Sequence, residues 1–450
     1  MSVVEARPVP SVITDLPGPR ARAHVAFDQQ WTSPSLPRAY PFVPVRGEGC
    51  TLEDMDGNVF LDFNAGIAVN STGHAHPRVV AAIARQAAEL IHYSASDFFL
   101  PIYATAAAEL ARIAPMKPAK VFIGNSGAEA VEAALKLSRH HTRRQNVVAF
   151  LGAFHGRTYG AVSLSASKTK YHAGFGPLVP GIYHVPYGSA GLDELEGRVF
   201  KRLAPADEFA AVFVEPVQGE GGYVVPDPEF LPRLRQICDR HGILLVADEV
   251  QSGAGRTGKM WAIEHWGVEP DILVTAKGIA SGMPIGAMIA RSDRMTWGPG
   301  AHGSTYGGNP VALAAMLETI RLLEEGLIAN AAERGAQAIA ALQPLAERIP
   351  AIVKDVRGLG LMLGVQFDSG DTAEAVQLAA FRRGLLVLQA GDDCVRISPP
   401  LVITADEIDT GVRLFSEAVE EVARDRSGAL ADVREAASLG LLEPTMQTGI

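Results

Sequence analysis

From Pro77 to about Leu323 the chain alternates helical and strand patterns repeatedly. Parallel strands need a crossover long enough to hold a helix, so this alternation predicts βαβ units around a mainly parallel sheet. Two of the strand-like runs finish in a charge. Ile243-Leu244-Leu245-Val246-Ala247 ends in Asp248, and Asp271-Ile272-Leu273-Val274-Thr275-Ala276 ends in Lys277. An open parallel α/β sheet binds ligands beyond the carboxyl ends of its strands, so this carboxylate and this amine can face one molecule. An aldehyde cofactor with a basic ring nitrogen uses such a pair. The lysine forms the Schiff base, and the aspartate keeps the ring nitrogen protonated so that it withdraws electrons from the substrate carbon. An ordinary buried Lys–Asp ion pair has the same spacing, and at this point both readings stand.

The 450 residues exceed what one hydrophobic core normally supports, which predicts a large α/β domain and a smaller lobe. A composition of 48% apolar and 20% charged residues is globular. The formal charge of −10 supplies no field for a polyphosphate backbone or an anionic membrane, so neither nucleic acid nor membrane is an expected partner. Cys50, Cys238 and Cys394 stand apart without C-x-x-C spacing, against a disulfide framework or a structural zinc. Pro8, Pro10, Pro17 and Pro19 interrupt any apolar leader, and no uncharged apolar run reaches the roughly 18–20 residues of a spanning helix. The expectation is a soluble protein of the reducing cytoplasm.

The proline-rich residues up to about Pro44 predict an extended arm, because repeated prolines oppose regular helix and sheet. Next, Gly49 to Asp54 and Asn58 to Asp62 straddle Asp56-Gly57 and read as a hairpin. After about Ala340 come strands at Ile352 to Val356, Leu361 to Phe367 and around Val395, with a helix near Thr372 to Arg383, a small α+β lobe. The expected division is therefore 1–76 as arm and joining segment, 77–340 as the large cofactor-binding domain, and 341–450 as small domain and tail. From about Ser427 a modest helix and a polar tail close the chain, and no internal repeat is visible.

Further strand ends carry polar groups. In Val121-Phe122-Ile123-Gly124-Asn125-Ser126-Gly127-Ala128-Glu129-Ala130, Ser126 suits an N-cap, and the free N–H groups of Gly127 and Ala128 would face a phosphate. A plain capped helix start is the commoner occurrence of this pattern. Phe154-His155-Gly156-Arg157-Thr158 offers an aromatic face for a planar ring and a guanidinium for a carboxylate, with core packing of Phe154 and a structural hydrogen bond of His155 as the competing reading. Glu215 and Glu220 follow a hydrophobic run without a histidine cluster, which argues against a metal. Arg396 stands alone in Val395-Arg396-Ile397 and makes Glu220 attractive as a switchable partner for it. Gly253-Ala254-Gly255-Arg256-Thr257-Gly258-Lys259 nearly spells a P-loop, but Met260 replaces the magnesium-binding Ser or Thr. Gly358 to Gly364 has the wrong glycine interval for a dinucleotide fingerprint and reads as strand.

In order along the chain, Leu61-Asp62-Phe63-Asn64-Ala65-Gly66-Ile67, Gly73-His74, Asn125 to Ala130, Phe154 to Thr158, Glu215-Pro216-Val217-Gln218-Gly219-Glu220-Gly221-Gly222, Asp248-Glu249-Val250-Gln251, Thr275-Ala276-Lys277 and Gly303 to Pro310 resemble the class III aminotransferases. The similarity runs from about Tyr40 to Ala423. It implies an α/β protein of the pyridoxal-phosphate-dependent fold type I, with a mainly parallel seven-stranded sheet in the large domain and a small α+β domain. It also implies pyridoxal 5'-phosphate bound covalently to Lys277, which then shuttles the substrate proton. Asp248 would contact the ring nitrogen, Gln251 the phenolic oxygen and Phe154 the ring face. Ser126, Gly127 and Ala128 would hold the phosphate together with Thr305 reaching across from a second subunit, so that a homodimer or a dimer of dimers is required.

In the 4-aminobutyrate branch of that family, an arginine matching Arg396 takes the α-carboxylate and pairs with a glutamate matching Glu220 when none is bound. The arginine matching Arg157 takes the distal carboxylate, and Ile67 lines the same pocket. The resemblance thus points to transfer of an amino group from an ω-amino acid, 4-aminobutyrate, to 2-oxoglutarate, giving succinate semialdehyde and glutamate. Two departures bear on this. Ala280-Ser281-Gly282 replaces the usual Gly-Gly-Gly after the lysine, and Gly176-Pro177-Leu178-Val179-Pro180-Gly181 with the long arm looks like a subgroup holding ornithine aminotransferases and amino-acid racemases. Racemase or epimerase and ornithine or lysine ω-aminotransferase are therefore the alternatives within the family, and a P-loop nucleotide-binding module is the alternative outside it.

Overall fold

The alternating segment folds into a seven-stranded sheet. In the computed structural model, which describes residues 9–438, its strands are β1 (Ala119–Gly124), β2 (Asn146–Phe150), β3 (Ile182–Val185), β4 (Phe209–Val214), β5 (Leu244–Asp248), β6 (Ile272–Thr275) and β7 (Gly286–Arg291). Their spatial order is β1-β7-β6-β5-β4-β2-β3. Neighbours from β6 through β3 run parallel, whereas β7 is antiparallel to both β1 and β6. Every residue of β4, β5 and β6 is buried, as apolar strands covered on both faces must be. Alternate side chains serve opposite faces: Val212, Val214, Leu245 and Ala247 join one core, while Ala211, Phe213, Leu244 and Val246 join the other. Val131, Ala134 and Leu135 of the helix Gly127–Thr142 pack into this second core.

The C-terminal part is built on the antiparallel strands Val353–Leu359 and Met362–Phe367, with Cys394–Ile397 beside the latter. The glycine-rich segment is thus the tip of a hairpin. Gly358 has φ +145, and a Cβ there would lie 2.2 Å from the carbonyl oxygen of Met362, so the close approach requires glycine. Thr51–Asp54 and Val59–Asp62 pair antiparallel around Asp56-Gly57, and Val59–Asp62 also pairs in parallel with Leu385–Leu386. The N-terminal hairpin therefore adds to the C-terminal part.

The arm before Pro44 departs from its expected extended form, since it contains a 13-residue helix, Pro19–Trp31. Its prolines lie where a helix tolerates them, with Pro19 in the first turn and none following before Pro34. Gly18 offers no side-chain cap. Asp56 supplies one from the hairpin turn, accepting from the N–H groups of Arg20 at 2.9 Å and Ala21 at 2.8 Å. That donor–acceptor match spans 36 residues of sequence and leaves no local signal. Arg426–Ser438 is helical, and the expected polar tail beyond it lies outside the described residues. Among the described residues, no helix is long and apolar enough to cross a membrane, and no cluster of His, Cys, Asp or Glu side chains is arranged to hold a metal ion.

Candidate active site

Beyond the carboxyl ends of β1, β2, β4, β5 and β6 lies a cavity of about 340 Å³. Each strand end contributes a different group to it. Past β6, Lys277 adopts φ +44, a left-handed conformation that a side chain of this size rarely takes. Burial disfavours its charged form and lowers its pKa despite the opposing charges of Glu220 and Asp248, so the neutral, nucleophilic amine becomes more accessible.

At the end of β5, one oxygen of Asp248 accepts from the N–H of Val250 at 3.0 Å, and the other from Nδ1 of His155 at 2.6 Å. His155 is buried, and its Nε2 has no hydrogen-bond partner. Burial favours the neutral imidazole, but the hydrogen bond and charge of Asp248 outweigh it and raise the His155 pKa. Below them, Glu215 accepts one backbone N–H on each oxygen, from Phe154 and Gly219, both at 3.1 Å. Burial pushes the Glu215 carboxyl up to about 7.

After β1, Ser126 caps the helix Gly127–Thr142 by accepting from the N–H of Glu129 at 3.2 Å. Gly127 and Ala128 then line the cavity at an open helix N-terminus, a natural seat for an anion. The capping turn rests directly on β7, because a Cβ at Gly286 would lie 1.9 Å from the carbonyl oxygen of Ser126. After β2, Phe154 lines the cavity while its ring packs edge-on against Tyr171, with centroids 5.3 Å apart. The Arg157 guanidinium lies over both rings, 5.7 Å from the Phe154 centroid and 5.2 Å from that of Tyr171.

Ser126, Gly127, Ala128, Phe154, Asp248, Gln251 and Lys277 thus share one cavity. Glu220 and Arg396 do not line it, but they bond to each other beside it, and Glu220 lies within electrostatic reach of Lys277. Burial opposes the charge on Glu220, yet Arg396 outweighs burial and holds the carboxyl below its ordinary value. The acids Glu215 and Glu220 therefore have separate partners and form no metal pair. Ile67, 36% exposed, and Thr305, also exposed, lie off the cavity wall of this chain. Ser281 takes φ +45 in the loop after Lys277, and its hydroxyl accepts from the N–H of Thr72 at 3.1 Å, so the substituted glycine loop closes with a side-chain anchor. The P-loop lookalike at 253–259 is a run of turns with no α-helix directly behind it, which removes the nucleotide-binding reading.

Several contributors escaped the sequence reading, among them Met283, Pro284 and Ile285 in the loop after Lys277. Val250 faces the cavity two residues past Asp248, where strand-end spacing could have placed it. Tyr171 comes from a polar segment without any pattern, and Val69 from a turn far upstream. Pyridoxal phosphate fits this set of groups. Among the described residues Gln251 Oε1 and His155 Nε2 are buried without partners, an open helix terminus lines the cavity where a phosphate would sit, and Phe154 and Val250 bound the space for a flat ring.

The model of the family described as aminotransferase class-III matches residues 35–419. An acetylornithine aminotransferase of Thermosynechococcus vestitus is 42% identical over 93% of this chain and 99% of its own length. An alanine/serine racemase of Pyrococcus horikoshii is 38% identical over 92% of this chain and 93% of its own. The crystal structure of an ornithine aminotransferase from Toxoplasma gondii, with partial occupancy of PLP at its active site, superimposes with a TM-score of 0.83 at 34% identity, covering 90% of this chain and 96% of that one.

Proposed function

The chain belongs to the class III aminotransferases, pyridoxal-phosphate enzymes, and on that premise we propose that it moves the terminal amino group of a carboxylate-bearing ω-amino acid to 2-oxoglutarate. The observation that carries this reading is the Glu220–Arg396 pair beside the lysine. An ω-amino donor brings no carboxylate next to its reacting carbon, and the pair then neutralises the arginine. A 2-oxo acid does bring one, and it takes Arg396 from Glu220. One site thereby serves two substrates of different charge. The donor 4-aminobutyrate would give succinate semialdehyde and glutamate. The names of the similar proteins favour a longer donor of the ornithine type, ornithine or acetylornithine.

When bound, pyridoxal phosphate supplies the electron sink that makes the substrate carbon acidic. In this proposal Lys277 Nζ takes the proton from that carbon and returns it. Asp248, oriented by His155 and the Val250 N–H, would hold the ring nitrogen protonated. Gln251 faces the phenolic oxygen. Phe154 and Val250 would exclude water from the cofactor ring, and Ser126, Gly127 and Ala128 would hold its phosphate. Arg157 reads the donor's distal carboxylate, with Ile67 near it. Thr305 completes the phosphate site of a second copy. Support for such a dimer comes from the exposed apolar residues Ile91, Phe99 and Tyr306, which sit on two segments joined by the hydrogen bond from Asn309 to the Ile91 carbonyl.

The alanine/serine racemase relative motivates a second reading, in which the proton returns to the other face of the same carbon. Holoenzyme incubated with ornithine, acetylornithine or 4-aminobutyrate, with and without 2-oxoglutarate, separates the two. The proposal expects glutamate to form in step with the donor consumed and only when the oxo acid is present. Loss of optical rotation from L-alanine or L-serine alone, with no glutamate from any of the three donors, overturns it.

A further inference from the structure

Arg157 has no acidic partner among the described residues; two aromatic faces hold its guanidinium instead. One face belongs to Phe154, a wall of the cavity. The other belongs to Tyr171, which closes the short turn Thr169–Tyr171 in a stretch that matches no motif of the site. The two rings brace each other edge to face at 65°, so the clamp is a single unit and not two separate contacts. A guanidinium lying over ring faces keeps its N–H donors in its own plane, and those not turned to the Tyr171 hydroxyl can face a carboxylate. Tyr171 is also within electrostatic reach of Glu220 and Arg396.

We propose that Tyr171 is a positioning residue that determines substrate specificity: its ring, with that of Phe154, fixes Arg157 in place and so sets the chain length at which a distal carboxylate is read. The inference rests on the reading that Arg157 binds that carboxylate. An arginine on its flexible stem could follow carboxylates of several lengths; held against the paired rings, it favours one. In this proposal the ring face is the working part, and the hydroxyl, which also meets Arg157, is separated from it by the Phe variant.

The test uses holoenzyme of the wild type and of Tyr171→Phe, Tyr171→Leu and Arg157→Met, each checked for cofactor absorbance and thermal midpoint. Calorimetry gives the dissociation constants of succinate, glutarate and adipate, dicarboxylates of increasing length, and steady-state rates give KM and kcat for ornithine and 4-aminobutyrate. Arg157→Met is expected to weaken the preferred dicarboxylate about a hundredfold. Tyr171→Leu should weaken it about tenfold and level the preference among the three lengths, raising KM far more than it changes kcat. Tyr171→Phe should stay within about twofold of wild type in both respects. If Arg157→Met weakens binding but Tyr171→Leu keeps the wild-type affinity and length preference, the clamp is refuted while the carboxylate reading survives. Equal damage from Tyr171→Phe and Tyr171→Leu also refutes it, by assigning the effect to the hydroxyl. If Arg157→Met changes nothing, the carboxylate reading falls and takes the clamp with it.

Discussion

Replacing Glu220 by Gln should move the two halves of the proposed reaction in opposite directions. The Arg396 side chain is 3% exposed and that of Glu220 18%, so their interaction is only weakly screened. Two unit charges about 4 Å apart at an effective dielectric of about 20 attract by roughly 4 kcal/mol. Glutamine keeps a neutral hydrogen bond of about 1 kcal/mol, and partial solvation of the displaced carboxylate removes some of the remainder. A net change of about 2 kcal/mol, or about thirtyfold, is expected in the half-reaction with glutamate. Glutamate, whose α-carboxylate must take Arg396 from its partner, should bind about thirtyfold more tightly to the variant. Ornithine reacting at its terminal amine brings a cation to the place where Lys277 already feels Arg396, which the variant no longer neutralises, and should bind more weakly. Rapid mixing of holoenzyme with each donor alone, followed through the absorbance of the bound cofactor, measures both affinities. Movement of both in the same direction, or an unchanged glutamate affinity, would show that Glu220 does not compete for Arg396.

Other perturbations test the frame around the site. Glu249, 1% exposed, accepts from Ser252 Oγ at 2.7 Å and the Ile263 N–H at 2.8 Å, and burial holds its carboxyl at about 7 against 4.5 ordinarily. A carboxyl whose folded pKa is raised keeps its proton longer in the native state, so its contribution to stability falls as pH rises from 4.5 through about 7 and is level above that. Glu249→Gln should therefore gain about 3 kcal/mol relative to wild type between pH 4.5 and 8, and urea unfolding curves that stay parallel across this range would refute the assignment. Asp56→Ala should release the helix Pro19–Trp31 by about 1 kcal/mol, read as faster amide hydrogen exchange in residues 20–31; unchanged exchange would mean that the cap contributes nothing. Gly286→Ala places a methyl against the Ser126 carbonyl and should weaken pyridoxal phosphate at least tenfold on titration of the apoprotein, a result that an unaltered dissociation constant contradicts.

The parts of the site that were legible before folding were those at strand ends. Asp248 and Lys277 interrupt apolar runs, and in a parallel sheet the end of a buried run is also the mouth of the site. Ser126 was legible as a cap for the same reason. Glycines near Gly253 and Gly358 imitated nucleotide motifs; Met260 and the glycine interval already told against them, and the surrounding turns and hairpin agree. The N-terminal helix was hidden because a count of prolines ignores where each one falls, and because the cap arrives from Asp56.

By itself, the sequence determined the parallel α/β architecture and the chemical identities at the strand ends. Both follow from local patterns, apolar periodicity and the break where a polar residue ends a run, which a linear chain records directly. The tertiary structure alone decided other partnerships: His155 with Asp248 across 93 positions, and Tyr171 folded back over Arg157. Such pairings depend on which loops converge at one end of the sheet. The free energy that holds them belongs to contacts between segments, so no window of sequence carries it.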